Sequence, residues 1–151
     1  MSRKILVCLS LIIVLGACAV HPPREIAEEP RGEEARIRQA LHELITAYEK
    51  KDPVRFGEHI SSTYFGDKAR LEIRIRRDFS ALHDISIEPT ITSIVADGMG
   101  RVFVEMDFRR SHTLLAGSER ITKTGRTSLI FRLEEGRYRL TSQRPPLFGL
   151  H

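Results

Sequence analysis

RLEIRIRRDFSAL, residues 70–82, can be read as two different secondary structures. Its first eight residues alternate apolar and charged, as a half-buried strand does. Yet Leu71, Ile75, Phe79 and Leu82 also form a stripe at helical spacing. A strand leaves Phe79 and Leu82 unexplained, so the pattern predicts a helix. Gly66-Asp67 breaks the chain just before it, and Asp67 supplies a capping side chain. This choice decides the fold, because it places every helix ahead of every strand.

Upstream, Ile37, Leu41, Leu44 and Tyr48 fall on one helical face between Glu33 and Lys51. Glu33 and Glu34 open that segment and Lys50 and Lys51 close it, matching the helix dipole at both ends. Asp52-Pro53 then starts a short helix with Val54, Phe56 and Ile60 as its apolar residues. Downstream of His83 the period changes to two. Ile85, Ile87, Ile91 and Val95 make a first strand, and Asp97-Gly98-Met99-Gly100 a turn. Val102, Val104, Met106 and Phe108 share one face of a second strand. After a turn at Ala116-Gly117, a third strand carries Ile121, Leu129, Phe131 and Leu133. Glu135-Gly136 folds it back into Tyr138 and Leu140. Helices followed by a meander of long antiparallel strands imply an α+β domain, with the helices on one face of a curved sheet.

The stretches AYEKKD, STYFGDKARL, FSALHDISIE and GRTSLIFRLEEGRYRLTSQRPPLFG, in this order, resemble the nuclear transport factor two-like (SnoaL-like) superfamily. The resemblance runs from about Glu33 to Gly149. It implies a cone with a pocket between the concave sheet face and the helices. It also implies two functional classes: non-catalytic modules, or isomerases, dehydratases and hydrolases working through a pocket Asp, His or Tyr. Tyr138 stands where members commonly carry Trp, and the chain has 0 Trp. A Tyr fills that space with its hydroxyl at the rim. Dimers are frequent in the superfamily through the outer sheet face, which here would show Thr122, Thr124, Arg126, Ser128 and Ile130. A homodimer is therefore one expectation.

The opening MSRKILVCLSLIIVLGAC has the layout of a signal peptide: Arg3 and Lys4, an apolar run from Ile5 to Leu15 too short to span a bilayer, then small residues. Leu15-Gly16-Ala17-Cys18 also resembles the lipobox of bacterial lipoproteins. That resemblance implies cleavage before Cys18 and lipid on its thiol. The alternative is an ordinary signal peptide that happens to contain Cys18. Residues 1–17 are thus expected to be a signal peptide, 18–32 a lipidated Cys and tether, and 33–150 the domain. Ala19, rather than Asp, after the Cys favours the outer over the inner membrane, with the domain facing the periplasm. The tether holds Pro22, Pro23 and Pro30 among charges. Its mean reach, for about 14 residues, is only ~20 Å.

The formal charge of +4 includes Arg3 and Lys4. Without residues 1–17 there remain 22 bases and 20 acids, or +2, so no general field attracts nucleic acid. With Cys8 removed and Cys18 blocked, no thiol would remain for catalysis or a disulfide. The 6 His are scattered, without metal-ligand spacing, and no nucleotide-binding or hydrolase motif occurs. No cofactor or metal is expected. The catalytic candidates are Tyr64, His83 (beside Asp84), Asp107 and His112. Asp107 alternates with Val104, Met106 and Phe108, which would point it to solvent. Arg70, Arg74 and Arg77 share a helical face that could meet an anionic surface, or simply be solvated with Glu72 and Asp78 as partners. Leu147, Phe148 and Leu150 either plug the domain's own core or dock a partner. The expected function is a lipid-anchored envelope module that binds an apolar ligand or a protein without chemistry.

Overall fold

The computed structural model describes residues 29–150, so Cys18, the signal segment and most of the tether lie outside the described residues. Helix α1 spans Glu29–Glu49, α2 Pro53–Glu58 and α3 Lys68–Ala81. Strands β1 (Leu82–Ala96), β2 (Arg101–Leu114), β3 (Arg120–Glu134) and β4 (Arg137–Arg144) form one antiparallel sheet in the order β1-β2-β3-β4. The helical reading of residues 70–82 holds. The strand-like alternation there arises because Ile73, at 53% exposure, sits on the solvent side of α3 between arginines.

Helix α1 starts four residues before Glu33, since the first turn of a helix accepts a proline without losing a hydrogen bond. It ends at Glu49, and Lys51 takes a left-handed conformation (φ 54°) beyond it, so the two lysines follow the last turn instead of forming it. Asp52 caps α2 by accepting from the Val54 and Arg55 N–H groups. Asp67 caps α3 in the same way through Ala69 and Arg70.

The core lies between the concave sheet face and the helices. Val102, Val104, Met106, Leu129, Phe131 and Leu140 meet Ile37, Leu41, Leu44, Phe56, Leu71 and Ile75, all buried. Burying one such side chain is worth about 1.5–3 kcal/mol.

Three expected core positions differ. Val95 is 56% exposed, because the irregularity between Ile91 and Ser93 turns the alternation over and brings Ile94 inward instead. Leu133 is 39% exposed at the end of the sheet, beside the β3–β4 hairpin. Val54 is 72% exposed, since α2 has only one buried residue, Phe56. On the outer face, Thr122, Thr124 and Arg126 are exposed as expected, and Val95, Phe103 and Ile130 form one cross-strand row.

Gly125 makes room for a close approach. Phe108 lies over it, with Cζ 2.9 Å from where a Cβ would sit.

Candidate functional site

The resemblance implies a pocket between the concave sheet face and the helices. Here that space is taken by the chain's own end. Leu147 and Phe148 are fully buried there, and Phe148 packs edge-on against Tyr48 at 5.1 Å and Phe56 at 5.4 Å between ring centroids. Gln143 holds this end by accepting from the N–H groups of Leu147 (2.8 Å) and Phe148 (2.9 Å) and donating to the Phe148 carbonyl at 3.1 Å. Gly149 makes the fit, at φ +70°, with its α-carbon so close to α3 that a Cβ would lie 3.1 Å from the Arg74 Cβ. Leu150 emerges at 41% exposure.

Against this tail lies a buried polar cluster of Tyr48, Asp78 and Arg110. Asp78 is 0% exposed and Arg110 1%, with Arg110 Nη2 at 3.6 Å from Asp78 Oδ2. The Tyr48 hydroxyl donates to Asp78 and accepts from Arg110 Nη2 at 2.7 Å. Asp78 also accepts the Gly149 and Leu150 N–H groups, both at 3.1 Å, while Arg110 Nη1 donates to the Leu147 carbonyl at 3.0 Å. The two charges are therefore paired and hydrogen-bonded, the condition under which buried charge is tolerated. Burial drives the Tyr48 pKa far up, Arg110 opposes this, and Asp78 adds to it.

Sequence reasoning missed this cluster. Arg110 continues the inward series Val102, Val104, Met106, Phe108, and Asp78 lies three residues after Ile75 on the buried stripe of α3. Both periodicities could have revealed them. Asp78 was expected at the surface as a partner for α3 arginines, and the structure corrects this. Its carboxylate faces inward because Arg110 and the tail amides meet it there.

The expected site residues do not converge. Tyr64 is buried beside β4, and burial raises its pKa against the Gln143 hydrogen bond and Arg74. His83 and Asp84 are both exposed at the start of β1. Asp107 lies on the outer face, bonded to Arg126 at 2.8 Å, and that bond holds its carboxyl below the usual range. His112 is 3% exposed on the opposite, concave face. Two residues on opposite faces of one strand cannot share a pocket. Arg70 and Arg77 are exposed, with Arg70 3.5 Å from Asp67, whereas Arg74 is half-buried against the tail. Among the described residues, no three His, Cys, Asp or Glu groups are placed to hold a metal, and no helix is long and apolar enough to cross a membrane.

The fold has close counterparts. A conserved protein from Planctomyces limnophilus superposes with a TM-score of 0.68 at 16% identity, over 75% of this chain and 94% of its own. A ketosteroid isomerase-like protein from Erwinia carotovora gives 0.63 at 16%, over 74% and 92%. An NTF-2 like protein of unknown function from Shewanella oneidensis gives 0.57 at 14%, over 74% and 96%. The fold is the nuclear transport factor two-like cone. No protein-family model matches the chain, and no curated protein matches it in sequence.

The rim of this cone carries Tyr138, 5% exposed, whose hydroxyl donates to Glu33 under the Arg36 guanidinium, 5.2 Å from the ring centroid. Burial and Glu33 push its pKa up to about 12, against Arg36. With Tyr48 and Tyr64, all 3 tyrosines of the chain are shifted up. Absorbance at 295 nm should therefore show little phenolate at pH 10, where the unfolded chain is half-ionised. The folded state holds these protons more tightly. Its stability from them is complete below pH 10 and falls as pH rises toward 12.

Proposed function

We propose that this chain is a lipid-anchored bacterial envelope protein, held through Cys18 and facing the periplasm. Its nuclear transport factor two-like cone serves as a non-catalytic binding or assembly module close to the outer membrane. The observation that carries the non-catalytic part is the commitment of Asp78. Its carboxylate is engaged by Tyr48, Arg110 and two tail amides, and Leu147 and Phe148 occupy the space a substrate would need. A carboxylate whose Oδ2 is bound by a hydroxyl, two amides and a guanidinium, in a space filled by the tail, is poorly placed to take a proton from a substrate. Binding then falls to the outer surfaces. Arg70 and Arg77, exposed on α3, support contact with anionic headgroups at about 1 kcal/mol per cation near such a surface.

The anchor is tested by the mass of the mature N-terminal peptide from membranes of an expressing Gram-negative host. A chain beginning at Cys18 with diacylglycerol and an acyl group is expected. A soluble chain with an unmodified thiol rules the anchor out.

One arrangement favours the enzyme reading, an isomerase, dehydratase or hydrolase of the SnoaL-like type. Asp78 and Tyr48 would line an open cone if the tail withdrew. A ketosteroid offered to the intact chain is expected to remain unchanged. Turnover that Asp78→Asn abolishes would decide for the enzyme.

A further inference from the structure

A groove of about 810 Å³ runs outside the cone between α1, α2 and the β3–β4 hairpin. That is the volume of a small-molecule site. Several of its charged groups are already occupied. Asp52 caps α2, Arg36 donates to the Gly136 carbonyl, and Arg139 pairs with Glu134 and Glu135. What remains is a mixed set around the half-buried His59: Lys50, Arg55 and Arg137 against Glu58 and Glu43, whose Oε1 accepts from Gln39 Nε2 at 2.8 Å and whose Oε2 is left for a ligand. Among the described residues, none of these five charges forms an ion pair with another. They do share one space, because all five line the same groove as His59. Burial lowers the His59 pKa, Glu43 from α1 and Glu58 from α2 oppose this, and Arg137 from the hairpin and Arg55 from α2 add to it.

Opposite charges that share a groove without pairing suit a ligand carrying both signs. A pure anion would leave two carboxylates facing it, and a pure cation three bases. We propose that this groove binds a zwitterionic ligand joining a phosphate to a primary ammonium. Arg55, Arg137 and Lys50 receive the phosphate oxygens, and Glu43 and Glu58 the ammonium. Two sources supply this chemistry: a free aminoalkyl phosphate, or the phosphoethanolamine headgroup of a lipid. The inference rests on the reading that the outside of the cone does the binding. It stands whether or not Cys18 carries lipid, so the N-terminal mass and the titration below fail independently.

The full chain is titrated with O-phosphoethanolamine, inorganic phosphate and ethanolamine, following the His59 ring by NMR. O-phosphoethanolamine is expected to raise the His59 pKa and to bind about tenfold more tightly than phosphate. Ethanolamine alone should leave the ring unmoved. Arg137→Ala should weaken both phosphate compounds, and Glu58→Gln only the zwitterion, with circular dichroism confirming that both variants fold. Sedimentation with phosphatidylglycerol vesicles, with and without phosphatidylethanolamine, identifies the source. A gain with phosphatidylethanolamine assigns the lipid, and binding of the soluble compound alone assigns the free phosphate. Equal affinity for phosphate and O-phosphoethanolamine, indifferent to Glu58→Gln, overturns the proposal, as does an unmoved His59 throughout.

Discussion

Asp78→Ala is expected to destabilise the protein by about 3–5 kcal/mol, the cost of breaking a buried ion pair from one side. The variant leaves Arg110, at 1% exposure, without its carboxylate. It also strips the acceptor from the Tyr48 hydroxyl and from the Gly149 and Leu150 N–H groups. The Arg110 guanidinium, the Tyr48 hydroxyl and the Gly149 N–H are buried, so losing their acceptor exposes the cost of their desolvation. For a domain of this size the loss corresponds to a fall in Tm of roughly 12–20 °C. Urea unfolding at pH 7 measures it directly. Replacing both charges with apolar side chains, Asp78→Leu with Arg110→Met, should recover much of the loss, because no uncompensated charge remains. A single variant within about 1 kcal/mol of the parent would show that the cluster is dispensable.

Removal of residues 147–151 should be at least as damaging as Phe148→Ala alone, itself about 3–5 kcal/mol for a buried aromatic. Phe148 is 0% exposed between Tyr48 and Phe56, so its loss opens a cavity lined by rings. The truncation goes further. It takes the Leu147 carbonyl from Arg110, two N–H groups from Asp78 and three hydrogen bonds from Gln143. Domains of this kind hold only 5–15 kcal/mol in all. The shortened chain should therefore sit near its unfolding threshold and bind an apolar dye such as anilinonaphthalene sulfonate in the opened cone. A truncated chain with unchanged urea midpoint and no dye binding would mean that the tail is not part of the core.

The two effects share a cause that also separates what was legible in the sequence from what was not. The helices, their Asp52 and Asp67 caps, the inward row of β2 and the outward face of Asp107 follow from local periodicity. They are visible in the residues themselves. The tail could be read in two ways, as plug or as docking peptide. The structure shows Leu147 and Phe148 inside the domain and Leu150 at the surface. Val95 was misplaced because an irregularity in a ladder reverses the face of everything beyond it, and no residue in TITSIVA announces one.

By itself, the order of periodicities determined that helices precede a four-stranded meander, since backbone hydrogen bonding permits only two regular spacings. Only the tertiary structure decided that Asp78, Arg110 and Tyr48 meet inside, because their partners lie 30 or more residues apart along the chain. The charge of a side chain predicts exposure until another charge and a set of amides arrive to satisfy it. Those partners come from α1, β2 and the C-terminal tail, and no local pattern encodes their meeting.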